Sequence, residues 1–137
     1  MFVGTHERSL DEKGRMALPV SFRSQLGERG YLVDLDGCLG IYAEDGFRDT
    51  VDRLSDRVRT GDASQDSLRV FSASVHDLKV DSQGRVVLPA PHRAKVAIDR
   101  EVVVIGAINR IEIYQPTTWD QIQASSDGDD RRVGSWI

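Results

Sequence analysis

The chain has 137 residues, 39% of them hydrophobic, a formal net charge of -4 and a single cysteine. That length holds one domain, or two small halves sharing one core, and Cys38 without a partner in the chain excludes a disulfide scaffold. The longest strongly apolar run, Val102 to Ile105, falls far short of the roughly 20 residues a membrane span needs, and Met1-Phe2-Val3-Gly4 lacks the charged and apolar regions of a signal peptide, so a cytoplasmic protein with no membrane partner is expected.

In chain order, an alternating stretch runs into Asp11 and Gly14 and out through apolar residues to Leu18. This pattern predicts a β-hairpin with Asp opening the turn and Gly taking positive φ. Pro19 suits the first turn of a short helix in which Phe22 and Leu26 share a face, and Gly27 and Gly30 supply a stop. Tyr31 to Leu35 and Leu39 to Tyr42 read as a strand pair around Asp36-Gly37, which completes a first half over residues 5–47.

Residues 48–75 read as a helical connection. A helix from Asp45 to Arg59 places Phe47, Val51, Leu54 and Val58 on one stripe, with Asp49 and Arg53 set to pair. Ser67 to Val75 continues helically, with Leu68, Phe71 and Val75 facing one way. Both stripes are read as core or partner packing. Residues 76–122 then repeat the first half, with Glu101 to Ile105 and Ile111 to Tyr114 as its second strand pair. The Ser-Asp-Gly-Asp-Asp composition near the end predicts a flexible tail over residues 123–137.

The repeat is explicit. Residues 6–19 align with residues 76–89 without a gap, and six positions are identical: His6/His76, Asp11/Asp81, Gly14/Gly84, Arg15/Arg85, Leu18/Leu88 and Pro19/Pro89. Further on, Arg23 matches Arg93, and Gly40-Ile41-Tyr42 matches Glu112-Ile113-Tyr114 after a two-residue shift. Each half alone would expose too much strand edge, so the two are expected to close into one barrel-like core that brings the two D-x-x-G-R loops near one another.

In each loop the arginine follows the glycine of the turn, where its guanidinium can offer a planar fork to a phosphate or to the O6/N7 edge of guanine. The aspartate four residues earlier can accept from the turn amides or from that arginine and so aim the fork. Asp11, Glu12, Lys13, Gly14 and Arg15 form the first candidate site, and Asp81, Ser82, Gln83, Gly84 and Arg85 the second. Lys13 has no counterpart in the second loop, so the two tips should make contact differently. The alternative is a turn with a local salt bridge that only shapes the chain.

Charge distribution favours an anionic partner more than the net charge does. Lysines and arginines exceed acids by five to four over residues 5–30 and by five to three over residues 76–100, whereas acids dominate the remaining segments. His6 and His76 recur, but no H-x-x-x-H or C-x-x-C spacing accompanies them, so packing histidines are expected and neither metal nor cofactor. No G-x-S-x-G elbow, phosphate loop or dinucleotide turn is present, and no catalytic residue is assigned.

The opening Met-Phe-x-Gly, Leu10-Asp11-x-Lys13-Gly14-Arg15 with Leu18-Pro19, Asp81-x-x-Gly84-Arg85 with Leu88-Pro89, Val102 to Gly106, Ile111-Glu112-Ile113-Tyr114 and Trp119 together resemble the MraZ family. The resemblance covers residues 1–122 in order. It implies a mainly β fold with short helices, an AbrB-like double-split β-barrel built from two pseudo-symmetric ββαββ-like halves. It also implies a nucleoid-associated transcriptional regulator that binds promoter repeats of the division and cell-wall gene cluster in double-stranded DNA as a ring of identical subunits, with no small-molecule substrate. Carried over by position, the DNA-contacting elements are Asp11 to Arg15 and Asp81 to Arg85. The other functional reading is an antitoxin-type protein-interaction module on the same core.

Overall fold

The computed structural model describes residues 1–127. In chain order its elements are β1 (Thr5–Ser9), β2 (Arg15–Ala17), α1 (Val20–Leu26), β3 (Arg29–Leu35), β4 (Cys38–Tyr42), α2 (Glu44–Arg59), α3 (Gln65–Ser74), β5 (His76–Lys79), β6 (Arg85–Val87), α4 (Ala90–Lys95), β7 (Glu101–Gly106), β8 (Ile111–Tyr114) and α5 (Pro116–Asp127). The molecule is mainly β with short helices and is made of two repeated halves, as the patterning predicts.

The pairing of the strands corrects one expectation. β1 and β2 do not form a hairpin with each other, and neither do β5 and β6. β1 pairs antiparallel with β7 and β5 with β3, while β2 pairs with β6 across the halves. The turn at Asp11 is tight, with the Asp11 amide donating to the Arg15 carbonyl at 3.0 Å and the Gly14 amide to the Asp11 carbonyl at 3.0 Å. Beyond that turn the strands diverge, because each finds its ladder partner in the other half. Pairing within a half would leave more edges and an uncovered apolar face; exchanging strands covers both.

A six-stranded sheet of order β1-β7-β8-β4-β3-β5 results, together with the two-stranded β2-β6 ribbon. The sheet stays open, with β1 and β5 at its edges, and with the ribbon it makes a split-barrel arrangement around one core. Two strand pairs set residues of equal rank in the repeat opposite one another. Met16 faces Val86, and Gly40 faces Glu112, so the approximate twofold relation of the halves passes through both pairs. Met16, Phe22, Leu32, Leu39, Ile41, Val86, Leu88 and Ile111 are fully buried, each worth roughly 2 kcal/mol of apolar transfer. Phe22 lies edge-on to Phe2 at 5.6 Å and to His6 at 5.3 Å.

The halves differ at the axis. A Cβ on Gly40 would meet Leu35 Cδ1 at 2.7 Å, whereas Glu112 places a buried carboxylate there. That carboxylate accepts from Arg110 Nε at 2.7 Å and from the Tyr114 hydroxyl at 2.8 Å, as a buried charge requires. Cys38 is buried beside this group, and burial, the largest cause, pushes its thiol up to about 11.

The connecting helices pack only by half. The expected stripe of Phe47, Val51, Leu54 and Val58 is partly covered, and neither α2 nor α3 has a fully buried residue. Phe47 stacks between Tyr31, at 4.2 Å, and Phe71, at 6.2 Å. Asp49 and Arg53 do not pair; the ion pairs of α2 are Glu44 with Arg48 at 2.7 Å and Asp56 with Arg59 at 3.1 Å, the first also held by the Tyr31 hydroxyl on Glu44. Ser64 caps α3 by accepting from the Ser67 amide at 3.0 Å, which starts that helix two residues before Ser67. Trp119 fastens α5 to Tyr114, at 5.2 Å. Residues 123–127 of the expected tail are the last residues of α5, and residues 128–137 lie outside the described residues.

Candidate functional site

The two D-x-x-G-R loops flank one ribbon. Because β2 and β6 run antiparallel with Arg15 opposite Val87 and Ala17 opposite Arg85, the first loop lies at one end of the ribbon and the second at the other. Two residues of strand, roughly 7 Å, separate those ends. The ladder continues past the strands: the Leu88 amide donates to the Gly14 carbonyl at 2.9 Å, and the Leu18 amide to the Gly84 carbonyl at 3.0 Å. Each loop is thus held by the other half.

Within the loops the aspartate does two things at once. Asp11 Oδ1 accepts from the amides of Lys13 and Arg15 at 2.9 and 2.8 Å, and its Oδ2 accepts from Arg15 Nε at 2.6 Å. Asp81 repeats this with the amides of Gln83 and Arg85, both at 2.9 Å, and with Arg85 Nε at 2.9 Å. The expected choice between capping the turn and aiming the arginine does not arise, since one carboxylate does both. Donation from the Arg15 amide, the largest cause, holds the Asp11 carboxyl below the usual carboxylate range, and the Arg85 amide does the same for Asp81. A lowered value keeps this brace intact through the ordinary carboxylate range, and it is lost only as the pH falls through the lowered value.

Only Nε of each arginine is used. The terminal nitrogens of Arg15 and Arg85 make no hydrogen bond among the described residues, and their side chains are about 30% and 28% exposed. Each guanidinium is therefore pinned at its root with its outer edge open, the geometry needed to present two parallel donors to an anion or an acceptor pair. Glu12, Lys13, Ser82 and Gln83 form the exposed tips, and Gly14 and Gly84 are buried beneath them at φ of +75° and +76°.

Further cations complete the surroundings. A cleft of about 570 Å³ beside the first loop is lined by four cations, Lys13, Arg15, Arg93 and Arg100, and three acids, Asp11, Glu12 and Asp99. A matching cleft of about 530 Å³ beside the second is lined by Arg23, Glu28, Arg29, Lys79, Asp81 and Ser82 among others. Arg93, on α4 of the second half, donates through Nε to the Leu88 carbonyl at 2.9 Å and lies against Gly14 of the first. Arg23, on α1 of the first half, reaches the Ser82 carbonyl of the second loop at 3.3 Å. Arg8 donates to the Ala17 carbonyl at 3.1 Å on the ribbon itself.

The repeat matches Arg23 with Arg93 but gives neither a place at the loops. The signal was their recurrence at the repeat distance; what hid their role was that each serves the loop of the opposite half. Lys79 and Arg29, the latter ion-paired with Asp77, likewise stand beside the second loop, which lacks a counterpart of Lys13. His6 packs against Phe22, and His76 against His92 at 5.9 Å. Among the described residues no cluster of three or more His, Cys, Asp or Glu side chains could hold a metal, and no helix is long and apolar enough to cross a membrane.

A family model described as "MraZ protein, putative antitoxin-like" matches residues 1–70 and again residues 71–133, one match over each copy of the repeat. The chain is 41% identical to the transcriptional regulator MraZ of Salinispora arenicola over 132 residues, covering 94% of this chain and 92% of that protein. It is 39% identical to the protein of the same name from a Nocardioides species, covering 91% and 88%. Against the one from Caldanaerobacter subterraneus subsp. tengcongensis it is 33% identical, covering 93% and 90%.

Proposed function

The chain belongs to the MraZ family, and from that premise we propose that it is a sequence-specific regulator of transcription, not an enzyme, that grips double-stranded DNA with the two loops and the ribbon between them. The observation that carries this reading is the pair of aspartate-aimed guanidiniums with open outer edges, one at each end of a single ribbon. An arginine held in this way suits the O6/N7 edge of guanine, and the neighbouring cations suit phosphates. The net charge of -4 is no obstacle, because basic residues exceed acids in the two loop-bearing segments, while over residues 31–75 nine acids stand against five arginines.

One such surface makes few phosphate contacts. The proposal therefore includes assembly of identical subunits into a ring that engages successive promoter repeats, so that modest single affinities combine at high effective concentration. Repeats near one helical turn apart, about 10 bp, would present the same groove to neighbouring subunits. In the cell this corresponds to a cytoplasmic protein associated with the nucleoid and acting at the promoter of the division and cell-wall gene cluster.

The test is a fluorescence-anisotropy titration of the full chain with duplex DNA from upstream of its own gene, repeated over a range of salt. Binding should weaken steeply as salt rises. Arg15→Ala should lower affinity by roughly 100-fold and reduce the steepness of the salt dependence. Salt-independent binding, or unchanged affinity for Arg15→Ala, would overturn the proposal.

A further inference from the structure

The β2-β6 ribbon has an outward face that the loops do not account for. Its strands have only three residues each, and they alternate: Met16 and Val86 point into the core, while Arg15, Ala17, Arg85 and Val87 point out. Val87 is 45% exposed, and it stands directly across the ribbon from Arg15. A single exposed valine needs no explanation in general. This one is different because of its neighbour, a guanidinium held in a fixed direction by Asp11.

We propose that Val87 is a specificity-determining residue, which reads the methyl group of a thymine beside the guanine that Arg15 reads. The inference rests on the DNA-binding function proposed above. A two-stranded ribbon fits the major groove, and an arginine on guanine O6 and N7 places its ribbon there. The residue opposite that arginine has its Cβ about 5 Å away, close enough to face the same or the adjoining base pair. Among the major-groove edges of the four bases, only thymine carries an apolar group, its C5-methyl. Valine against any other edge would strip water from donors and acceptors that it cannot satisfy. Valine against thymine removes two apolar surfaces from water together.

The other end of the ribbon is not equivalent. There Arg85 faces Ala17, whose side chain is one carbon long and reaches less far, while Arg8 occupies the Ala17 carbonyl. Methyl reading therefore belongs to the end carrying the first loop. A base step with guanine next to thymine is the chemical class recognised at that end.

The experiment first selects binding sequences for the full chain from random duplex DNA, then replaces each thymine of the selected repeat by deoxyuridine, which removes only the methyl. The unmodified protein should lose about fourfold in affinity per repeat at one thymine adjacent to a guanine. Val87→Ala, whose single carbon reaches less far, should bind the thymine and uracil duplexes equally, and Val87→Thr, which keeps one γ-methyl and the branched shape suited to a strand, should retain an intermediate preference for thymine without loss of folding. Arg15→Ala should bind neither duplex well. A preference for thymine that survives in Val87→Ala, or no thymine whose methyl matters, would overturn the inference. So would a change in assembly mass on substituting Val87 with the thymine preference intact, since the residue would then pack between copies. Failure to select any sequence would instead overturn the DNA-binding function itself.

Discussion

The two loops are alike in what they do internally and unlike in what surrounds them. In both, one carboxylate caps two amides and pins Nε of an arginine, with distances that agree within 0.3 Å from one loop to the other. Around that shared device the first loop has Lys13 at its tip and Arg93 and Arg100 beside it, while the second has Gln83 at its tip and Arg23, Arg29 and Lys79 at its flank. The comparison teaches that a duplicated sequence can keep its aiming mechanism while redistributing the charge around it. The second loop is not a weakened copy so much as one whose cations come from the strands and from the opposite half.

The sharpest way to separate the loops is to remove each arginine in turn. Arg85→Ala should cost roughly tenfold in DNA affinity, against the roughly 100-fold expected for Arg15→Ala, because Arg85 stands opposite Ala17 and has no lysine at its tip. Equal losses, measured by anisotropy on the same duplex, would mean that the flanking cations make the two ends equivalent.

A smaller effect should distinguish the glycines beneath the tips. Both sit at positive φ, so an alanine at either costs about 1–2 kcal/mol in backbone strain. At Gly14 the new Cβ would also meet the Leu88 carbonyl oxygen at 3.1 Å, a backbone atom that accepts from Arg93 Nε and cannot swing away. At Gly84 the nearest atom, at 2.7 Å, is Nη1 of Arg23, the far end of an exposed side chain. Gly14→Ala should therefore lower the melting temperature more than Gly84→Ala; the reverse order would show that Arg23 is fixed more firmly than the backbone it touches.

The smallest effect lies where α1 and α4 end. Gly27 takes φ of +82° after α1, and at the same rank in the second half Ala97 is held at +57°. Ala97→Gly should raise stability by up to about 1 kcal/mol, and Gly27→Ala should lower it by about 1 kcal/mol. Thermal melts of the two variants would show whether the second half carries strain that the first avoids.

Much of the fold was legible because the repeat and the period-two patterning are local properties. The identities between residues 6–19 and 76–89 mark two halves, the apolar patterning places α1, α2 and the later strands, and D-x-x-G-R marks both turns. The partners of the strands were not legible. Alternation says that a strand exists and which side it buries, but it is equally satisfied by a hairpin within a half and by exchange between halves.

By itself, then, the sequence determined the duplicated loops, the elements around them and the acid that aims each arginine, since the aspartate reaches its targets within four residues. Only the tertiary structure decided that β2 meets β6, that Arg93 and Arg23 serve the loop of the other half, and that Val87 stands across from Arg15. Those contacts join positions about seventy residues apart, and they are selected by covering strand edges and filling one shared core, a condition no local pattern encodes.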